Sequence, residues 1–274
     1  MAHMQVSNLQ AGYGGTPIID ELTTSIPEGK ITTIIGSNGC GKSTLLKACT
    51  RLLSPESGGV ALDGRSITQM PTKELAKTLA ILPQTQQGAG GLTVYELVSY
   101  GRFPHQRGFG RLTRTDKEKI AWAMEMTGTT DFADQPVDGL SGGQRQRVWI
   151  AMALAQDTEM IFLDEPTTYL DMAHQLEVLE LLQRLNREEG RTIVMVLHDL
   201  NQAARFSDHI IAMKEGEIVH AGSSKEVIQC DILRHVFEIE AIIGEDPMTG
   251  CPMCMTYHLL QQKQTAPLKQ AVNN

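Results

Sequence analysis

Eight residues constrain this chain more than any others: Gly36, Ser37, Asn38, Gly39, Cys40, Gly41, Lys42 and Ser43. The run fits G-x-x-x-x-G-K-[ST], a pattern that carries meaning only between a strand and a helix. Both flanks are present. Residues 31–35 form a β-branched run that predicts a buried strand, and residues 42–53 carry the apolar spacing of a helix. Glycines let the backbone close around phosphate oxygens while successive N–H groups donate to them. The helix start adds partial positive charge at the same point. The loop from Ser37 to Gly41 is therefore expected to cradle ATP. Lys42 should reach the β- and γ-phosphates, the Ser43 hydroxyl should ligand Mg2+, and Thr44 should support the α-phosphate.

A second signal lies where an apolar run, residues 160–163, ends in two acids, Asp164 and Glu165. In phosphate-loop enzymes such a strand is expected beside the loop-bearing strand, so that Asp164 emerges near the Mg2+ and holds it through water. Glu165 would stand near the γ-phosphate, where a carboxylate can accept a proton from attacking water. Two acids after a strand can also simply start a helix. Beside the glycine loop, the catalytic reading takes precedence.

The rest of the chain predicts an α/β fold. Residues 5–62 read as short strands broken by Gly- and Pro-containing turns. A further buried strand is expected at 192–197, after a helix over about 173–187. Strands alternating with helices describe a largely parallel sheet. Between 93 and 156 the texture changes: 93–100, 116–127 and 143–156 read as helices with little strand signal between them. The expected division is an ATP-binding core at 4–86 and 157–223, a helical insertion at 87–156, and a carboxy-terminal extension at 224–274 that is not an independent domain. The extension should hold a helix at 224–229, and its polar tail from 261 to 274 should fray.

Composition excludes several classes. The formal net charge of −8 argues against a phosphate-neutralising surface, hence against a nucleic-acid partner. The longest apolar stretches, such as 193–197, fall far short of the about 20 residues that cross a bilayer. The amino-terminal MAHMQVSNLQ has no apolar signal core, which predicts a cytoplasmic location. Five scattered cysteines (Cys40, Cys49, Cys230, Cys251 and Cys254) read as reduced thiols. Cys251 and Cys254, with His258 nearby, supply too few thiolates for a closed zinc site and read as packing thiols. Cys40 lies inside the loop, so a bulky thiol reagent is expected to block ATP binding.

Leu140, Ser141, Gly142, Gly143 and Gln144 form a run that ordinary phosphate-loop kinases and GTPases lack. It resembles the signature motif of the ABC ATPase family and sits 20 residues before Asp164. The family's other motifs appear in order: Tyr13 resembles the aromatic that stacks on adenine, Gln84 the Q-loop glutamine, Asp171 the D-loop acid and His198 the switch histidine. The resemblance spans residues 6–220. It implies a RecA-like P-loop NTPase core with an antiparallel β subdomain and an inserted helical subdomain. It implies that Gln84 senses Mg2+ or lytic water and that His198 hydrogen-bonds the γ-phosphate. Ser141 opens a second glycine-bearing helix start, and one compact chain cannot close both helix starts on one phosphate. The family's solution is a head-to-tail dimer with two ATPs sandwiched, each loop facing the other copy's signature, so a second copy of this chain is the expected partner.

Residues 93–106 and 166–175 resemble importers of iron chelates: siderophores, haem and related large complexes, with cobalamin close by. That resemblance implies two separate transmembrane permease subunits, an extracytoplasmic substrate-binding protein acting indirectly, and a peripheral place on the inner face of the membrane. An exporter, or a soluble ABC ATPase of DNA repair or translation, is the alternative. Six basic residues (Arg102, Arg107, Arg111, Arg114, Lys117, Lys119) stand against Asp116 and Glu118. They read either as a solvated face or as a surface toward acidic permease loops or anionic headgroups.

Overall fold

The computed structural model describes residues 3–84, 88–106, 111–168 and 170–260. Arg107, Tyr169 and the tail from 261 to 274 lie outside the described residues. The chain opens with β1 (Met4–Tyr13) and β2 (Thr16–Ile26), then β3 (Ile31–Gly36), which runs through the glycine loop into α1 (Lys42–Cys49). Strands β4 (Ser57–Leu62) and β5 (Arg65–Ser66) complete an antiparallel sheet in the order β2-β1-β4-β5. After α2 (Thr72–Thr78) and β6 (Leu79–Leu82) come three helices, α3 (Val94–Tyr100), α4 (Arg114–Met126) and α5 (Gly142–Ala155). The chain then returns through β7 (Met160–Leu163), α6 (Met172–Glu189), β8 (Thr192–Val196), α7 (Leu200–Phe206), β9 (His209–Lys214) and β10 (Glu217–Gly222). It closes with α8 (Ser224–Val227), α9 (Cys230–Phe237) and a hairpin of β11 (Ile239–Glu245) and β12 (Pro252–Leu259).

The central sheet has the order β10-β9-β3-β8-β7-β6, parallel from β9 to β6 and antiparallel only at β10. Strands β3, β7 and β8 are buried along their whole length, because both faces of the sheet are covered. Their alternate residues feed two cores. Ile161, Leu163, Ile193 and Met195 pack with α5, α6 and α7, whereas Phe162, Val194 and Val196 pack with α1 and the antiparallel sheet. The sequence had placed the acid-bearing strand beside the loop-bearing one. The structure corrects this, since β8 lies between β3 and β7. The insertion brings the residue following β8, and with it His198, out between the loop and the two acids.

Helices α3, α4 and α5 pack on one another through residues such as Val94, Leu97, Ile120, Ala123, Val148 and Leu154, all buried. Each begins with a reciprocal capping box: Thr93 with Glu96, Thr113 with Asp116, Ser141 with Gln144. Of the six basic residues between 102 and 119, Arg111, Arg114 and Lys117 are exposed, but Arg102 is not part of a surface face. Arg102 is only 3% exposed; its Nε donates to Asp116 at 2.9 Å and its Nη1 to the Ala155 carbonyl at 2.7 Å, tying α3, α4 and α5 together. Lys119 pairs with Asp157 and Arg114 with Glu118. Arg102→Ala should leave the Asp116 carboxylate buried without its partner, at a cost of about 3–5 kcal/mol. A fall in the urea midpoint at unchanged slope would register it.

Two expected helices are shorter than their patterns suggested. Helix α1 stops at Cys49, where Thr50 turns its hydroxyl back onto the Leu46 carbonyl and Arg51 adopts φ 61°. The helix expected at 224–229 ends at Val227. No described helix is long and apolar enough to cross a membrane.

Candidate functional site

The glycine loop is shaped by backbone crowding. A Cβ on Gly36 would lie 2.3 Å from the Met213 carbonyl oxygen, and Gly41, which starts α1, has φ 104°. Asn38 and Gly39 are exposed and Ser37 partly so, while Cys40 is 3% exposed beneath the loop. Burial pushes the Cys40 thiol up, although Lys42 acts in the opposite direction. Burial and the raised thiol both work against rapid reaction of Cys40 with a bulky thiol reagent. The side chain points inward, and the loop offers its backbone instead. Lys42 is buried, and its ammonium donates to the carbonyls of Gly36 at 2.9 Å and Ser37 at 2.8 Å. A cavity of about 160 Å³ is lined by Ile18, Asn38, Gly39, Gly41, Lys42, Ser43, Thr44 and Glu165.

At the end of β7 the two acids part company. Asp164 is 4% exposed and accepts from the Ser43 hydroxyl at 2.9 Å. Burial raises its carboxyl above the ordinary range; the Ser43 bond works against that, and the neighbouring Glu165 charge adds to it. Glu165 stands at φ 55°, a left-handed conformation costing about 1 kcal/mol for a side chain of this kind. Glu165 lines the cavity, and three side chains outside that lining meet its carboxylate. Gln84 Nε2 donates to Oε2 at 2.7 Å, Thr168 Oγ1 donates to Oε2 at 3.0 Å, and His198 Nε2 lies 2.8 Å from Oε1. Burial alone would raise the Glu165 carboxyl, but the bonds from His198, Thr168 and Gln84 outweigh it and hold the group below the usual range. Adjacent carboxyls pushed in opposite directions are the mark of separate duties.

The structure thus gathers Lys42, Ser43, Asp164, Glu165, Gln84 and His198 at the carboxyl ends of β3, β7, β6 and β8, the edge where parallel sheets bind ligands. Tyr13 is 48% exposed, with the Lys47 ammonium 5.8 Å from its ring centre. Ser141, Gly142, Gly143 and Gln144 contribute nothing to the cavity. Ser141 caps α5, exposed to solvent, and receives the Gln144 N–H at 3.3 Å. Asp171 caps α6, and the backbone N–H and ring of His174 hold its carboxyl below the usual range.

Three contributors escaped the sequence reading. Thr168 braces Glu165 from the turn that follows it. Lys47, five residues beyond Lys42 in α1, serves Tyr13 and also draws the Asp164 carboxyl downward. His174 touches the signature helix. Only position in the fold distinguishes these residues from ordinary surface polar groups.

Comparison with known proteins places the chain in a family and a fold. The family described as ABC transporter matches residues 19–168. The Iron(3+)-hydroxamate import ATP-binding protein FhuC of Bacillus subtilis (strain 168) is 57% identical over 264 residues, 96% of this chain and 98% of that protein. The Ferric enterobactin transport ATP-binding protein FepC of Escherichia coli (strain K12) is 48% identical, over 92% of this chain and 93% of its own length. The dimeric structure of MJ0796, a bacterial ABC transporter cassette, superposes with a TM-score of 0.72 at 31% identity, covering 80% of this chain and 98% of that one.

Proposed function

Because the chain belongs to the ABC transporter family as an ATP-binding, ATP-hydrolysing subunit, we propose that it powers uptake of an iron chelate, a siderophore or a related large complex, through separate permease subunits. One observation carries the hydrolytic reading: Glu165, ionised and held by Gln84, Thr168 and His198, lines the same cavity as Lys42 and Ser43. The cargo rests on relatives named for importing iron(3+)-hydroxamate and ferric enterobactin.

In this reading Lys42 exchanges the Gly36 and Ser37 carbonyls for the β- and γ-phosphate oxygens, and the loop N–H groups grip the rest. Tyr13 stacks on adenine. Ser43, Asp164 and Gln84 offer hard oxygen donors that suit Mg2+, a cation that completes its shell with water and phosphate. Bound there, Mg2+ would neutralise phosphate charge and help keep the buried Asp164 ionised. Glu165 accepts the proton of attacking water, and His198 steadies that carboxylate and turns to the γ-phosphate. Ser141, Gly142, Gly143 and Gln144, with Asp171, serve the nucleotide held by a second copy. The assembly lies on the cytoplasmic face of the membrane, fed by an extracytoplasmic binding protein.

The test is uptake into proteoliposomes that hold the chain with the membrane proteins that co-purify with it and the matching binding protein. Ferric hydroxamate should enter only with Mg-ATP, and Glu165→Gln should abolish entry. Efflux, or uptake of cobalamin with no uptake of any ferric chelate, would contradict the cargo reading.

A further inference from the structure

The two elements proposed to face a partner's nucleotide, the start of α5 and Asp171, lie on different parts of the chain. One side chain touches both. His174, in the first turn of α6, places Nδ1 2.7 Å from Asp171 Oδ1, while its backbone N–H donates to the same oxygen at 3.0 Å. Because a carboxylate only accepts, Nδ1 carries the proton in this contact. The other side of the ring lies against Gly143. A Cβ on that glycine would come within 3.1 Å of His174 Cδ2 and 3.3 Å of Cγ, closer than side chains ordinarily pack. Glycine at 143 thus admits the imidazole to the backbone of the signature helix, and the imidazole reaches across to the D-loop acid.

The next residue extends the junction. Gln175 Nε2 donates to the Leu170 carbonyl at 3.0 Å and its Oε1 receives Gln202 Nε2 at 2.6 Å, while the Gln202 N–H donates to Asp199, the neighbour of His198. Two further ties join α5 to the same region without His174: Gln146 Nε2 to the Pro166 carbonyl at 2.9 Å, and Arg147 to Glu177 at 3.2 Å. Removing the imidazole therefore leaves α5 docked and loosens only its tip relative to Asp171.

We infer that His174 is a positioning residue that holds the signature-helix start and Asp171 in one fixed relation, so that both meet the partner's nucleotide together. The inference rests on the proposal that these elements act across the dimer. A misplacement of about 1 Å between groups that must converge on one phosphate is worth up to about a hundredfold in rate.

The experiment compares His174→Ala, His174→Asn and His174→Phe for kcat, KM for ATP and thermal midpoint, with Gly142→Asp as the control for the reading beneath it. Asn keeps a donor for Asp171 but no ring; Phe keeps a ring against Gly143 but no donor. The expected result for His174→Ala is a fall in kcat of about ten- to a hundredfold, with KM within twofold and the thermal midpoint little moved. Asn and Phe should each recover only part of the rate. A kcat within twofold of the parent chain in all three variants would overturn the inference. So would a loss of rate that merely tracks a loss of folded protein. If Gly142→Asp is inactive and His174→Ala is not, only the role of His174 falls. If Gly142→Asp is fully active, the reading beneath it falls as well.

Discussion

Glu165→Gln should lower ATP hydrolysis by about 10²–10⁴-fold while leaving ATP binding intact. The substitution keeps the size of the side chain and an amide oxygen that can still accept from Gln84 or Thr168. What it removes is the ionised group proposed to take a proton from water. In the proposed function binding rests on other residues, Lys42 and the loop backbone, so ATP should stay bound and unspent. A dimer held closed by ATP should then accumulate at twice the 30.1 kDa of one chain, measurable by light scattering. Normal turnover in this variant would remove Glu165 from the role of base.

Gly142→Asp should cost at least about 10²–10³-fold in hydrolysis, because a carboxylate set where negative charge develops should harm the reaction no less than the loss of one donor to that charge. This position separates folding from function. A Cβ on Gly142 meets nothing within 4 Å, and an aspartate in the first turn of α5 suits the helix dipole. The isolated chain should therefore fold and bind ATP as before. Across the proposed dimer, the carboxylate would point at the partner's γ-phosphate and repel it. Gly143 is a poorer choice, because any side chain there collides with His174. Loss of turnover with unchanged nucleotide affinity is the outcome to look for in titration and steady-state assays.

Much of this site was legible in the sequence because its parts are local. The glycine loop needs a strand before it and a helix after it, and both patterns lie within a few residues of Lys42. The apolar run ending in Asp164 and Glu165 marks its own strand. The cap at Ser141 follows from a serine three residues before a glutamine. Long-range facts were not legible. Nothing in residues 160–163 or 192–197 says that β8 enters between β3 and β7, since sheet order depends on crossovers rather than on strand composition. Charge counting treated Arg102 as a surface residue, yet its guanidinium is enclosed by three helices and satisfied by Asp116 and the Ala155 carbonyl.

The hairpin of β11 and β12 was missed because β12 is exposed over most of its length and shows no clean alternation. Its turn did carry a signal. Asp246 accepts from the Met248 N–H at 2.9 Å and the Thr249 hydroxyl at 2.6 Å, and Gly250 follows at φ 69°. Its anchor is non-local: Asn201 on α7 clamps the backbone of Cys254 from both sides, accepting its N–H at 2.8 Å and donating to its carbonyl at 3.2 Å. Cys254 is accordingly a buried strand residue, only 8% exposed.

The most direct measurement is turnover per chain as protein concentration is lowered, with sedimentation recording the mass at each point. If each ATP is gripped by the Lys42 loop of one copy and the Ser141 helix start of another, turnover per chain must fall as 30.1 kDa monomer replaces dimer. Turnover that stays constant while every chain sediments alone would contradict the account.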